Sequence, residues 1–467
     1  MAENAENNEN NEKDDHLLEE EEDRDTVQIG SVRDTTLQKI EDYVDEKPEA
    51  QKKLPSYRIV FSVWNTMIGS SIVSIPYNVY QAGIIPTIFI GLLYGYICYL
   101  TCSVVVRLGG KSDDFAEIVY NYLYYGFGKK TAKFGKIVQI TFNLMINTGA
   151  TFIYFLIINQ NFYPCICVFL RIFGVDIDDT DLTPHFDKFS FFYCALIVSA
   201  IAFPLTIFRD MSFLAKFNSL GIYFVSALLI FVLYTGVRTM ATDTFKFEYK
   251  ENSEGNNERY LYLFGENPGM LTGTLSLGLF CHSVILPLMK NNRKPENNSR
   301  DLFLGYLCVT LTYIIIGIFG YIGFSGADYS PVFKDNWFRF FPSDNYFILV
   351  LRLLNVIQLI SIFPILFFVV RNQLFATFFK SFLKGKSRVP FLVFSLSLLF
   401  LCILVLCLCY DTLGKLISYI GAITALILVY TIAPLINMIN YYIRHQPKKE
   451  IEKLREAQKE FNIPINV

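Results

Sequence analysis

Apolar residues in this chain run on for roughly 20 to 30 positions at a time, with neither the alternation of a half-buried strand nor the single stripe of a surface helix. Ten such runs can be marked off by polar segments or, between the first two, by Ile85-Pro86: 58–84, 87–107, 134–162, 189–208, 214–237, 270–289, 302–324, 346–370, 390–410 and 415–443. About 20 apolar residues in helical form cross a hydrocarbon core of about 30 Å. The pattern therefore predicts an all-α polytopic membrane protein with ten transmembrane helices.

Two of the runs carry small polar interruptions. The first contains Asn65-Thr66-Met67-Ile68-Gly69-Ser70-Ser71 and then Pro76; the sixth contains Thr272-Gly273-Thr274, Gly278, Phe280-Cys281-His282-Ser283 and Pro287. In lipid every backbone polar group needs a partner, so unwinding at mid-membrane is tolerated only where the freed carbonyls and amides face protein, water or a ligand. Broken helices of this kind hold substrates and coupling ions in secondary transporters. The positions of the interruptions matter as well. Spans one to five (58–237) and six to ten (270–443) form two odd-numbered halves, which point in opposite directions across the membrane, as in an inverted repeat whose halves each begin with a discontinuous helix.

Outside the runs, residues 1–53 are Asn- and Glu-rich with almost no aromatics, too polar to bury a core, and read as a disordered acidic tail. Within it, 35–46 has the spacing of a short helix with Leu37, Ile40 and Tyr43 on one face, and Asp14-Asp15-His16-Leu17-Leu18 has the character of an acidic-dileucine sorting signal. The tail lacks the apolar core of a cleavable signal peptide, so the first span is expected to direct membrane insertion. Between spans two and three, Asp113 to Phe127 reads as an interfacial helix. The last segment, 444–467, is polar and broken by Pro447. The domain reading is a tail (1–53), a transmembrane transporter domain (54–443) and a C-terminal tail (444–467).

Charge sets the orientation. The chain has 467 residues and a formal net charge of −2, but the first 50 residues hold most of the excess acid. Arg107, Lys111, Lys129, Lys130, Lys133, Arg209, Lys216, Lys290, Arg293, Lys294, Arg300 and Arg371 fall on one set of loops, and the acidic stretch Asp176 to Asp181 falls on the other. By the positive-inside rule both termini are cytosolic. Asn297-Asn298-Ser299, a glycosylation triplet, then lies on a cytosolic loop where no glycan is added.

Composition narrows the chemistry. Of 4 histidines only His282 lies in a span, and the 10 cysteines have no metal-ligand spacing; Cys165 and Cys167 read either as packing or as a lumenal disulfide. No nucleotide-binding loop, nucleophile elbow or metal cluster points to an enzyme, no cofactor is expected, and the partners expected are membrane lipid and a small substrate rather than nucleic acid. Thr66, Ser70 and Ser71 with Gly69 offer hydroxyls and, if unwound, amides at a half-helix N-terminus, which suits a carboxylate; the structural alternative for each hydroxyl is a bond to its own i−4 carbonyl. The candidate substrate residues are Asn65, Thr66, Met67, Ile68, Gly69, Ser70 and Ser71 at the first break, with Phe280 and His282 at the sixth. His282 reads as an interhelical hydrogen bond or as a proton site. On span eight, Gln358, Ser361 and Pro364 are placed to give oxygens to a cation, and Arg352 is expected to snorkel.

Trp64 to Pro76 followed by Gln81-Ala82-Gly83 resembles the first-helix signature of the amino acid/auxin permease superfamily. Leu271 to His282, Lys290 to Asn298 with Arg300-Asp301, Val309 to Tyr313 and Phe213 to Gly221 are similar to the lysosomal, arginine-sensing branch of the sodium-coupled neutral amino acid transporters. The resemblance covers roughly 57–443. It implies a leucine-transporter-like 5+5 inverted repeat that moves amino acids (arginine, leucine or other neutral ones) out of lysosomes or vacuoles, with Na⁺ as the coupling ion. It further implies that Thr66, Met67, Gly69 and Ser70 lie at the substrate site, and that Ser361 stands where the family has a sodium-contacting threonine, placing the ion at Thr66 and Ser361. Ser70 replaces a family threonine, an eleventh helix usual in the family has no counterpart, and residues 1–53 do not match the family segment that docks on the Rag GTPases and their scaffold. The alternative to transport is an amino-acid sensor that signals through this tail with little flux.

Overall fold

The computed structural model describes residues 53–69, 71–109, 114–175, 177–186, 188–207, 221–242, 245–249, 260–325, 336–341, 345–378, 389–410 and 412–445. The acidic tail, the dileucine stretch, the helix expected over 35–46, Ser70, most of the Phe213 to Gly221 match and the polar C-terminal segment lie outside these residues.

Helices dominate. In chain order they are α1 (Ser56–Met67), α2 (Ser71–Ala82), α3 (Ile84–Gly109), α4 (Phe115–Phe127), α5 (Lys129–Ile172), α6 (Phe191–Thr206), α7 (Gly221–Thr242), α8 (Pro268–Gly278), α9 (Ile285–Lys290), α10 (Asn298–Phe324), α11 (Tyr346–Phe378), α12 (Val389–Cys409), α13 (Leu413–Ile427) and α14 (Ala433–Arg444). A π-helical turn, Leu428–Ile432, joins the last two. There Thr431 Oγ1 donates to the carbonyl of Leu426, five residues back, at 2.7 Å.

Among the described residues seven helices are long and apolar enough to cross a membrane, or eight counting α1 and α2 as one span bent by 63°. Two expected spans are therefore altered. The fourth is the 16-residue α6, short of a full hydrocarbon crossing, and the sixth is divided into α8 and α9, of 11 and 6 residues. The third is longer than expected: α5 has 44 residues, roughly 66 Å at 1.5 Å per residue, and extends well beyond the bilayer.

Small residues let helices approach. A Cβ on Gly91 would lie 2.9 Å from Ile314, and one on Gly95 would overlap Thr310, so α3 packs backbone-close against α10. The interfacial helix is present as α4. Its N-cap, Asp114, accepts from the Ala116 amide at 2.9 Å, while Phe115, Ile118, Val119 and Tyr122 are buried. Burial raises the Asp114 carboxyl above its ordinary range, partly offset by that amide and by Lys136.

The acidic segment 238–269 holds a feature the hydropathy pattern does not show, a parallel two-stranded pair, β1 (Lys246–Tyr249) and β2 (Tyr260–Phe264), with Lys246 opposite Tyr260. All ten cysteines, Cys165 and Cys167 included, are free thiols, which favours packing over a disulfide.

Candidate functional site

Both interrupted runs are broken, and each break has the same kind of support. After Met67 the backbone turns extended at Ile68 (φ −77°, ψ 102°) and α2 begins at Ser71, so the Met67 carbonyl has no helical amide to receive. Tyr313 Oη on α10 donates to it at 2.8 Å. In the sixth run α8 ends at Gly278 and α9 begins at Ile285, which frees the Leu279 carbonyl. Tyr306 Oη on α10 donates to that oxygen at 3.2 Å. Tyr306 and Tyr313 are seven residues apart, hence on one face of α10. One helix thus supplies the missing donor to both breaks.

The two broken helices are also joined to each other. Asn78 Nδ2 donates to Thr274 Oγ1 at 3.0 Å, linking α2 to α8. At the other end a backbone bridge pairs Leu54 with the segment after α9: the Leu54 amide donates to the Asn291 carbonyl at 2.7 Å, and the Arg293 amide to the Leu54 carbonyl at 2.8 Å. That bridge is held by Asn292, whose Nδ2 donates to Asn298 Oδ1 at 2.8 Å and to Asp301 Oδ2 at 2.9 Å; Arg300 in turn donates to Asp301 Oδ1.

Between the breaks lies a cavity of about 180 Å³; a comparable apolar cavity of about 150 Å³ admits a benzene-sized guest. Its wall is built from Ser62, Thr66, Met67, Gly69 and Ser71 at the first break, Leu277, Gly278, Phe280, Ser283 and Val284 at the second, Ile146, Asn147, Ala150 and Tyr154 of α5, and Ile362, Ile365, Leu366 and Val369 of α11, with Leu288 of α9 and Asn291 just beyond it. No charged side chain lines it among the described residues. All of these lie level with the breaks or toward the membrane side on which α1 starts and α9 and α11 end. Buried aromatic side chains pack on the opposite side of the breaks. There the 3-10 turn Trp337–Phe340 stacks Trp337 against Phe324 at 5.1 Å between ring centroids. Asn336 fastens the turn to α5 by donating to Gln160 Oε1 at 2.8 Å.

Of the candidate residues, Thr66, Met67, Gly69, Ser71 and Phe280 face this cavity. Thr66 Oγ1 donates to the Ser62 carbonyl at 2.7 Å, the bond to a residue four back, yet its lone pairs remain acceptors toward the cavity. Asn65 and Ile68 are buried but not in the cavity wall. His282 is fully buried behind Phe280, ring centroids 5.3 Å apart, with Nε2 3.0 Å from Thr101 Oγ1. The same Thr101 hydroxyl lies 3.0 and 3.1 Å from the Ile97 and Cys98 carbonyls, so the contact joins α3 to the segment between α8 and α9. This is an interhelical hydrogen bond and not a group open to the cavity.

Ser361 Oγ donates to the Gln358 carbonyl at 2.6 Å. It adjoins Ile362 behind the wall, and neither it nor Gln358 lines the cavity. Arg352 does not snorkel. It is 4% exposed, and its Nη2 donates to the carbonyls of Phe338 and Phe341 at 2.9 and 3.0 Å, because the 3-10 turn covers the end of α11. The sequence reading missed Asn147, Tyr154 and Asn291 in the cavity wall and the capping role of Tyr306 and Tyr313. A polar side chain inside an apolar run was the available signal for Asn147, Tyr154, Tyr306 and Tyr313, whereas Asn291 lies in the polar loop after the sixth run.

A helical membrane protein with two facing helix breaks around an uncharged, amino-acid-sized cavity belongs to the class of membrane transporters. Residues 56–464 match the transmembrane amino acid transporter protein family, and the chain belongs to it. It is 30% identical over 435 residues to neutral amino acid transporter 9 of Danio rerio, covering 83% of this chain and 75% of that one. It is 25% identical over 439 residues to the sodium-coupled neutral amino acid transporter 9 homolog of Caenorhabditis elegans, covering 84% and 69%. Among solved structures, MHP1, a nucleobase-cation-symport-1 family transporter in a closed conformation with bromovinylhydantoin bound, covers 84% of this chain and 76% of its own at 10% identity; a TM-score of 0.36 leaves that likeness without weight. The family is one of transporters, in agreement with the expectation that the chain is not an enzyme.

Proposed function

We propose that this chain is a secondary active transporter of amino acids that works by alternating access around its two broken helices. The observation that carries the reading is the cavity held between the two breaks and walled by the first-helix residues of the family signature, with an aromatic turn packed on the far side of the breaks. Amides and hydroxyls at the half-helix ends suit the zwitterionic part of an amino acid. The uncharged wall suits a neutral side chain such as leucine better than the guanidinium of arginine, which would enter without a counter-charge.

In this reading the ten runs are ten spans in two inverted halves, both termini are cytosolic, and the open side of the cavity is the cytosolic side. The membrane is endolysosomal or vacuolar. Na⁺ is the coupling ion, received by the Thr66 hydroxyl, carbonyls of the first break and Ser361, and a shift of Ser361 to the wall accompanies its binding.

The test is counterflow of labelled leucine and arginine in proteoliposomes of the purified protein, with and without a Na⁺ gradient. Saturable leucine exchange stimulated by the gradient is expected. Binding without flux rejects transport in favour of a sensor signalling through residues 1–53, and exchange indifferent to Na⁺ rejects the coupling ion.

A further inference from the structure

Beyond the cavity, on the side the aromatic turn fills, lies a group of buried polar side chains that the first cavity does not use. Arg352, Asn355 and Gln358 follow one another at three-residue intervals on α11 and are 4%, 0% and 1% exposed. Gln358 precedes Ile362 by four, and Ile362, Ile365 and Leu366 wall the cavity. Asn355 and Gln358 therefore continue the cavity-facing stripe of α11 toward the closed side.

The facing helix does the same. Asn147, Tyr154 and Asn161 recur every seven residues on α5; the first two line the cavity, and Asn161 is fully buried. The register between the antiparallel helices follows from Phe155 against Phe363, ring centroids 6.0 Å apart, and Asn143 donating to Gln373 at 3.1 Å. Extended along both helices, it sets Asn161 level with residues 355–357.

Each of these side chains carries polar atoms without a partner. Among the described residues, Arg352 Nε and Nη1, both carboxamide atoms of Asn355 and of Gln358, and Asn161 Oδ1 have no hydrogen-bond partner, and the neighbouring turn adds Trp337 Nε1. Among the described residues no carboxylate forms an ion pair with Arg352; Asp179, on the loop beyond α5, acts on it only at longer range and is held by Arg171 at 3.2 Å. A buried guanidinium without a counter-charge is costly in a membrane protein and marks a functional position. Its geometry favours a carboxylate, and the carboxamide oxygens beside it are acceptors for an ammonium.

Resting on the transport reading above, we propose that Arg352, Asn355, Gln358 and Asn161 form a second binding station for α-amino acids on the closed side of the pathway. The guanidinium takes the α-carboxylate and the carboxamides take the ammonium. The station is wired to the aromatic turn, because Arg352 Nη2 holds the Phe338 and Phe341 carbonyls. A carboxylate bound along the Nε and Nη2 edge takes over at least one of those bonds, so arrival of substrate loosens the turn that closes its path.

The experiment counts bound leucine by equilibrium dialysis on the full-length protein, alongside counterflow. Wild type is expected to bind two leucines per chain at saturation. Arg352→Lys, which keeps the charge and loses the planar fork, should bind one and lose about tenfold or more in counterflow. Asn355→Leu leaves Arg352 and its carbonyl bonds in place, so it should also bind one leucine while melting like wild type. A wild-type stoichiometry of one, or an unchanged stoichiometry in Asn355→Leu, overturns the station. Absence of wild-type counterflow instead rejects the transport reading, and the stoichiometry still decides the station separately.

Discussion

Tyr313→Phe removes one oxygen atom, and its effect is set by where that atom sits. The hydroxyl donates to the Met67 carbonyl at 2.8 Å; both residues are buried, 1% and 3% exposed. No amide of the helix can replace it, because the chain leaves the helix at Ile68. A buried acceptor left without a donor costs roughly 1–3 kcal/mol, a factor of about 5 to 150 in an equilibrium. If the bond is made in every conformer, the cost lowers thermal stability; if it is made only in the conformer described, it shifts the population and the apparent affinity for leucine.

Gly278→Ala reaches the same bond from the other break. A Cβ there would lie 2.7 Å from the Tyr313 hydroxyl oxygen and 3.0 Å from ring carbons, so the ring must move and stretch its bond to Met67. This variant should therefore destabilise, against the gain of up to about 1 kcal/mol that alanine brings to a helix. Because one hydrogen bond cannot be lost twice, the double variant should cost less than the sum of the two. Melting curves and leucine binding of the purified single and double variants supply the cycle. An unchanged melting temperature together with unchanged affinity in Tyr313→Phe would refute the reasoning.

Three further outcomes are expected. A Cβ on Gly69 would overlap the Tyr154 hydroxyl, so Gly69→Ala should abolish leucine binding and Tyr154→Phe in the same chain should restore part of it; failure of any rescue removes Tyr154 from the account. Ser361→Ala should raise the Na⁺ concentration needed for half-maximal exchange several-fold while leaving leucine affinity at saturating Na⁺ near wild type, and an unchanged Na⁺ titration rejects that role. Asp114 has a raised folded-state pKa, so its destabilising effect is full above that value and disappears as pH falls below the ordinary carboxylate range. Asp114→Asn, which keeps an N-cap acceptor, should thus melt at or above the wild-type temperature at neutral pH and lose the advantage in acid; Asp114→Ala should melt lower, by the loss of about 1 kcal/mol of capping.

Much of this arrangement is written locally. Long apolar runs dictate helices, and clusters such as Asn65 to Ser71 and Phe280 to Ser283 mark where those helices cannot continue, so both breaks were legible. The remainder depends on contacts distant in sequence. Nothing near Tyr306 or Tyr313 shows that their hydroxyls meet carbonyls in two other helices, since that depends on how α10 is rotated. Arg352 close to a helix end reads as a snorkelling residue until the turn at Trp337 is seen to cover it. His282 illustrates the same limit: its type and depth gave no sign that its partner is Thr101 on α3. The short α6 and the β1–β2 pair escaped for a different reason, because hydropathy sets where a run is apolar and not where its hydrogen bonds end.

The bridge between Leu54 and the segment after α9 has a mechanical consequence. The start of one broken helix and the end of the other are a single backbone-bonded unit, so any swing of α1 about its break either carries α9 with it or costs both hydrogen bonds.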